Sequence, residues 1–332
     1  MDERNETAVQ EPKTTGLLAR VRKLDFSGEI ISILIALIIL CTFFSLTSPY
    51  FLSIKNILNF TMNTSILGIM AAGLFIAMVI GEIDVSQYAV LALSTGVMVI
   101  LIRRGMNSGP AIGISIGIAL ACGLINGASV AFLRINPIIA TLATMMIYRG
   151  IAFKLTEARA LGVDGPFFKA VGSGRILGIP VSVYIMLVLY LLVHVVLKYT
   201  AYGKRVYAVG GNPEASYISG INVKMVRFWG LLVSAATAAL AGLIFVGQVG
   251  ATVPTVGEGG LMDVVTAVIL GGISLSGGKG KIVGTLFGVL ILAVLSNGMV
   301  LLSVQSYYQT IVKGIVIFLA VFVDSLRGGG YK

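Results

Sequence analysis

Long stretches of this chain carry no charged side chain at all. Residues 30–54, 56–81, 105–133, 228–257 and 282–312 are each free of Asp, Glu, Lys and Arg. A helix crosses the hydrocarbon of a bilayer in about 20 apolar residues. Only helices or closed barrels satisfy their own backbone there. The composition agrees: 57% of the 332 residues are hydrophobic, 11% are charged and mean hydropathy is +0.98. Soluble domains carry about 25% charged residues, so there is too little charge here to coat a water-facing surface. The expected fold is an all-α polytopic membrane protein.

Hydropathy places helices near 29–48, 61–80, 87–103, 110–133, 137–155, 181–200, 228–249, 261–274, 282–302 and 306–326, about ten in all. That divides the chain into an N-terminal tail (1–28), a transmembrane domain (29–326) with a basic loop at 201–227, and a C-terminal tail (327–332). The tail begins polar and of mixed charge, unlike a signal peptide. Net charge is +10. In a membrane protein this reads as the cytoplasmic bias of Lys and Arg plus contact with anionic lipid, not as nucleic-acid binding. Lys13, Arg20, Arg22 and Lys23, the loop 198–227, Lys279 and Lys281, and the C-terminal Arg327 and Lys332 all fall on one side of a ten-span chain. Both termini are therefore expected in the cytoplasm. Arg103 and Arg104 fall outside. Either the bias is violated there, or the segment around "GEIDVSQ" does not cross simply.

The chain echoes itself. "GLINGASVAFLRINP" (123–137) resembles "AVLSNGMVLLSVQSY" (293–307). Each sets an Asn-Gly pair, Asn126 and Asn297, inside an apolar helix that then breaks into another. By the span count these are helices four and nine. An offset of five reverses orientation, so the two halves are expected to be inverted repeats, a common plan among transporters. A weaker echo, "IGEIDVS" (80–86) against "LGGISLS" (270–276), is out of step with that count.

Polar groups at membrane depth mark candidate sites. "GEIDVSQ" (81–87) puts Glu82, Asp84, Ser86 and Gln87 between two spans with almost no loop. Carboxylates in hydrocarbon cost about 2.5–3.5 kcal/mol on insertion scales. One reading is a tight interfacial turn in which Asp84 caps the next helix. The other is a broken helix lining a pathway, with Glu82, Asp84, Ser86, Asn126, Asp263 and Asn297 as candidate residues. Burial and like-charge repulsion would then raise the proton affinity of Glu82, Asp84 or both. "SLSGGKGK" (274–281) is Gly-rich but lacks the Walker pattern and a preceding strand. There is no His/Cys/carboxylate set with metal spacing and no nucleophile with a base, so no catalytic residue, metal or cofactor is expected in this chain. Cys41 and Cys122 read as small buried hydrophobes, His194 as a packed helix residue, and Trp229 as an interfacial anchor. The segments 156–180 and 251–260, rich in Gly and Pro, read as contacts to something outside.

"GGNPEASYISGI" (210–221) interrupts this greasy chain with a polar knob. Asn212 is a good N-cap, Pro213 suits the first helical position, and Glu214 favours the positive end of the helix dipole. Gly220 can stop the turn. A helix of about two turns is too short to stand alone, so the protein or a partner must hold it.

These residues carry a resemblance. "YGKRVYAVGGNPEASYISGINV" (202–223), "GGISLSGGKGKIVGTLFGVLILAVLSNG" (271–298), "YYQTIVKGIVIFLAVFVDSL" (307–326) and "INPIIATLATMMIYRGIA" (135–152) resemble the sugar-type permease subunits of bacterial ATP-binding-cassette importers, the ribose and galactose permease family. The resemblance covers the chain from about residue 30 to 326. It implies a type II importer permease: ten spans per subunit, two permeases side by side, identical or paralogous, and a pathway between them in the bacterial inner membrane. It also implies a cytoplasmic ATPase, often a tandem two-cassette chain that binds the ATP and Mg, and a periplasmic or lipid-anchored solute-binding protein. The short helix would be the coupling helix that docks on the ATPase, a role falling on Gly211, Asn212, Pro213, Glu214, Ala215, Ser216 and Gly220. Relatives usually show Gly-Gly-Ile-Asp-Leu-Ser-Val-Gly where this chain has "GEIDVSQY", so the solute is left open among sugars, polyols and sugar-like signals such as autoinducer-2. A permease for nucleosides or amino acids, and an ion-coupled secondary transporter using Glu82, Asp84 or Asp263, remain as alternatives.

Overall fold

A computed structural model describes residues 28–328, with backbone alone for 28–29 and 323–328. The two tails, 1–28 and 327–332, therefore lie almost wholly outside the described residues. Thirteen helices and four two-residue strands make up the described chain. Seven helices are long and apolar enough to cross a membrane, and Gln87–Arg103, Gly260–Leu270 and Ser306–Phe322 are shorter apolar helices.

Two helices organise the rest. Ile54–Ile80 (α2, after α1 at Gly28–Thr47) and Val223–Val249 (α10) each have 27 residues, about 40 Å at 1.5 Å per residue. Local chemistry sets their ends. The Ser53 side chain accepts from Asn56 N at 3.3 Å and Asn222 accepts from Met225 N at 3.1 Å, while the left-handed Gly81 (φ 93°) and Gly250 (φ 73°) terminate them. Both are buried along much of their length and pack on each other. Small residues permit it: a Cβ on Gly73 would run into Thr237, and one on Gly230 would meet Ile80. Without a hydrophobic drive between helices in lipid, such close approach is what holds them.

Around this pair lie Gln87–Arg103 (α3), Ser108–Ala131 (α4) and Pro137–Thr156 (α5), then Pro166–Gly172 (α6) and Val181–Tyr199 (α7). Ala201–Gly211 (α8) and Pro213–Ile218 (α9) precede α10, and Gly260–Leu270 (α11), Ile282–Leu301 (α12) and Ser306–Gly328 (α13) follow it. The packing pairs map onto one another when α2–α5 are exchanged with α10–α13. Thus α3 packs on α4 and α5 as α11 packs on α12 and α13, and α10 meets α3 and α4 as α2 meets α11 and α12. Many outward side chains of α1, α5 and α7, such as Ile38, Met146 and Leu191, are exposed, as lipid-facing or subunit-facing positions would be.

The element ends gather at two poles. At one, Gly278 N donates to Val79 O (2.8 Å) and α8 abuts the end of α2. At the other, Leu161–Gly162 (β1) pairs antiparallel with Ala251–Thr252 (β4), and α6 packs on the end of α10. Arg103 and Arg104 sit exposed at this second pole, opposite α9. Several sequence expectations shift. The second helix begins at residue 54, not 61, because Ser53 caps it; α10 begins at 223, not 228, because Asn222 does; and α11 stops at 270, not 274. The 156–180 segment is less free than expected: it forms α6, β1 and the hairpin of Arg175–Ile176 (β2) with Ile179–Pro180 (β3), and much of it caps the protein's own helices. Cys122 is buried and Cys41 half-buried, both free.

Candidate functional site

The run 82–86 is neither helical nor at the surface. Glu82 is 2% exposed, and Asp84, Ser86 and Gln87 are fully buried. The chain leaves α2 at Gly81, turns back, and enters the core. Gln87 Nε2 donates to Met70 O at 3.2 Å, and Met70 is ten residues, about 15 Å, back from the end of α2. The five residues 82–86 and the reach of the Gln87 side chain together cover that depth. So α3 starts well inside the protein, which is why it can be shorter than its neighbours. The run between α2 and α3 is thus a non-helical interruption inside the protein and not an exposed loop.

Its polar groups are held by four helices. Asp84 Oδ1 accepts from Ser86 N (2.9 Å) and Ser86 Oγ (2.6 Å), and Oδ2 accepts from Ser234 Oγ (2.6 Å) on α10. Asn126 Nδ2 on α4 donates to Ser86 Oγ at 2.8 Å. The Tyr148 hydroxyl on α5 donates within reach of Cys122 O (3.2 Å) and Asn126 Oδ1 (3.4 Å). Thr141 Oγ1 accepts from Val85 N and lies within donating distance of Ile83 O, both at 3.2 Å. The carboxylate thus finds three donors, as a buried polar group requires. Asp84 is not the helix cap expected: Ser86 holds the N-cap position of α3 without a side-chain cap bond, and Asp84 bonds Ser86 and ties the break to α10.

Glu82 does not share this network. Its Oε1 lies 2.9 Å from Arg227 Nε, an ion-pair contact without hydrogen-bond alignment, and Oε2 has no hydrogen-bond partner among the described residues. Of the two causes expected to act on Glu82, burial is present, whereas the nearest charge is the Arg227 guanidinium and not the Asp84 carboxylate. Arg227 lies four residues into α10, just past the short helix α9. Asp263 and Asn297 stand elsewhere. Asp263 meets Lys313 Nζ at 2.7 Å between α11 and α13. Asn297 exchanges a pair of 2.9 Å hydrogen bonds with Asn56 between α12 and α2. The structure brings Asp84, Ser86 and Asn126 together and leaves the other candidates outside the cluster.

The polar knob at the first pole is built differently. Asn212 Oδ1 accepts from Ala215 N (2.9 Å), Pro213 opens α9, and Gly220 adopts φ 81° after the cap. The helix is six residues long, somewhat shorter than expected, and the unforeseen α8 supports it. Ser216 is its one buried side chain; Glu214 and Ala215 are exposed, as are Tyr217 and Ile218, at 74% and 80%. Tyr217 and Ile218 were not among the sequence candidates, although a bulky apolar pair on a water-facing helix is the usual signature of a contact surface. The knob rests on a glycine seat. A Cβ on Gly210 would run into Val79 O, Gly278 packs on Gly211, and Tyr207 Oη donates to Gly280 O (2.9 Å). "SLSGGKGK" thus serves as packing, with Gly277, Gly278 and Gly280 at positive φ.

A model of the family described as branched-chain amino acid transport system / permease component matches residues 56–321. Among curated proteins, the chain is 40% identical over 298 residues to the ribose import permease protein RbsC of Escherichia coli K12, covering 89% of this chain and 93% of that one. It is 39% identical over 316 residues to the ribose import permease protein RbsC of Bacillus subtilis 168, covering 94% and 98%. It is 35% identical over 292 residues to the D-allose transport system permease protein AlsC of Escherichia coli K12, covering 87% and 89%. No solved structure matches the chain significantly.

Proposed function

The chain belongs to the family described as branched-chain amino acid transport system / permease component, and on that premise we propose that it is the permease subunit of an ATP-driven importer of a monosaccharide or similar polyhydroxylated solute. Relatives named for ribose and allose align along nearly all of the chain, which favours a sugar over an amino acid. ATP and Mg are bound by a cytoplasmic ATPase, a soluble or lipid-anchored protein delivers the solute, and a second permease copy, identical or related, completes the path. This chain supplies no bond-breaking chemistry.

The observation that carries the reading is the knob. A helix of six residues, exposed on nearly every side and set on a rigid glycine seat, exposes Tyr217 and Ile218 to water. It is stiff where it meets the protein and bare where a partner would dock. Gly211, Asn212, Pro213, Glu214, Ala215, Ser216 and Gly220 shape it as a coupling helix; Tyr217 and Ile218 would fill the partner's cleft. Closure of the ATPase then moves α8–α10 as a body, and Arg227 carries that motion to Glu82 on the broken span. A state change requires such a differential contact.

Ten spans are supported by seven long apolar helices plus three shorter ones, two of which, α3 and α11, follow non-helical runs that cover part of the depth. Inverted repeats are supported by the matched 27-residue helices and the exchangeable packing pairs. The pole bearing α9 is assigned to the cytoplasm of a bacterial inner membrane because it carries the knob; exposed Lys and Arg stand at both poles, with Arg134, Lys198, Lys204, Arg205, Lys224 and Lys279 at this one. Lys55, Arg103, Arg104, Lys154, Arg159, Lys169 and Arg175 are exposed at the other pole, so the knob and not the basic bias carries the orientation.

The test is uptake by proteoliposomes holding this chain with its ATPase and binding protein, offered radiolabelled D-ribose, D-allose, L-arabinose and L-leucine. Sugar uptake that needs ATP and survives collapse of ion gradients is the expected result. Uptake that follows a proton or sodium gradient without ATP would sink the proposal, and uptake of leucine alone would reassign the solute.

A further inference from the structure

A groove of about 530 Å³ opens between α5 and the segment 257–262, with Met145, Met146, Phe153 and Met262 on its walls and Arg149 and Glu258 at its polar points. Arg149 lies twelve residues into α5, about 18 Å along its axis, so it stands at membrane depth. Its Nη1 donates to Pro254 O (2.6 Å) and Val256 O (2.8 Å). Nε and Nη2 have no hydrogen-bond partner among the described residues. Glu258 is exposed, and its charge acts on the guanidinium. A charged pair opening outward at this depth is strongly disfavoured against lipid tails. The groove must therefore meet water or a polar guest.

Its place in the fold sharpens this. Val85, next to Asp84, lines it from the first broken span. From the other side, the run after α10 enters the core and starts α11. The two breaks touch: the Tyr88 ring fills the space where Gly257 and Gly260 lack side chains. The groove thus borders both interruptions, and motion of either one reshapes it.

We propose that this groove is the solute-contact subsite of the path, taking a neutral polyhydroxylated ring, with the free N–H groups of Arg149 donating to ring hydroxyls and the Glu258 carboxylate accepting from them. The inference rests on reading the chain as a permease. Donors and an acceptor side by side match hydroxyls, which do both. Methionine and phenylalanine faces match the C–H faces of a sugar ring and adapt to more than one. The volume falls within the 300–1,000 Å³ typical of small-molecule sites. The scarcity of polar groups is fitting, since a transported solute must leave again. An acyl chain would leave both charges stranded.

Two variants test it in the full complex. Met146→Trp fills the groove from an exposed position, and Glu258→Gln removes the charge while keeping shape. With permease and ATPase recovered at wild-type levels, Met146→Trp is expected to lower uptake at least about tenfold. Glu258→Gln should shift the preference among D-ribose, D-allose and L-arabinose about threefold or more. Leu191→Trp, on the exposed face of α7, should stay within about twofold of wild type. Unchanged uptake and preference in both groove variants would overturn the proposal. So would loss of the permease pair in Met146→Trp, which would make the groove a subunit contact. A second arm needs no transport: Met146→Cys in a Cys41→Ser background, labelled with a thiol-reactive bimane in detergent. Millimolar sugar should slow labelling at least about twofold, and no protection counts against the site. Protection without ATP-driven uptake would keep the site and discard the importer reading.

Discussion

The break at 81–87 and the knob at 212–220 are written in similar residues and end in opposite situations. Each interrupts an apolar chain with glycine, a carboxylate and a small hydroxyl residue. At the break, every polar side chain from Asp84 to Gln87 is buried and α2, α4, α5 and α10 all contribute partners. At the knob, one side chain is buried and the side-chain caps, Asn212 at the start and Ser219 at the end, come from the loop itself. Buried polar groups must be satisfied by the fold, because losing one partner costs the full desolvation of the other. Exposed ones are satisfied by water and stay available to a partner. One motif is therefore committed to the protein's own stability and the other to contact.

The contrast is sharpest under substitution. Asp84→Ala strands the Ser86 and Ser234 donors in a dry core; we expect a loss of about 3 kcal/mol or more, seen as failure to recover folded protein from membranes or a large drop in its melting temperature in detergent. Normal yield and melting would mean that the network is not structural. Glu214→Arg inverts the charge at the first turn of α9, where the dipole effect is at most about 1 kcal/mol. Its melting should be near wild type while ATPase recovery on pull-down and uptake fall about tenfold; intact association would remove the knob from coupling.

Gly210→Ala probes the seat between the two regions. Its new methyl meets Val79 O with no side chain to give way, and overpacking of this kind costs about 1–3 kcal/mol. Glu82→Gln should cost about 1 kcal/mol or less, because the Arg227 side chain is 34% exposed and can turn to water. It should nevertheless lower the ATP-driven uptake rate if the Glu82–Arg227 pair relays motion; melting and uptake both at wild-type levels would leave the pair without a role. Gly211→Ala, one residue from Gly210 but with nothing within 4 Å of a new Cβ, is expected to change melting by a few tenths of a kcal/mol, since alanine is the better helix former. An equal penalty at 210 and 211 would refute the seat.

Much of this was legible in the residues. Charge-free runs marked five of the seven long apolar helices because each is long enough to cross alone. Asn212, Pro213 and Gly220 marked the knob because capping is local chemistry. The break was found but its partners were not: "GEIDVSQ" has the composition of a surface turn as much as of a broken helix, and nothing local in it shows that Ser234, 150 residues away, supplies a donor to Asp84. Glu82 was paired with its neighbour in sequence, when its partner is Arg227. Tyr217 and Ile218 were missed because an apolar pair is unremarkable in so hydrophobic a chain until its exposure is known.

The sequence by itself settled that the chain is helical, that it lives in a bilayer, and where a short polar helix interrupts it. Those follow from hydropathy, backbone satisfaction and capping, all of which act within a few residues. Only the tertiary structure decided which polar groups meet. Asp84, Ser86 and Asn126 form one cluster, whereas Asp263 and Asn297 pair elsewhere, and Arg149 and Glu258 share a groove. Contacts across such separations depend on how the helices pack, and that packing is fixed by close approaches such as Gly73 on Thr237, whose partners lie far apart in the chain and leave no periodic trace in it.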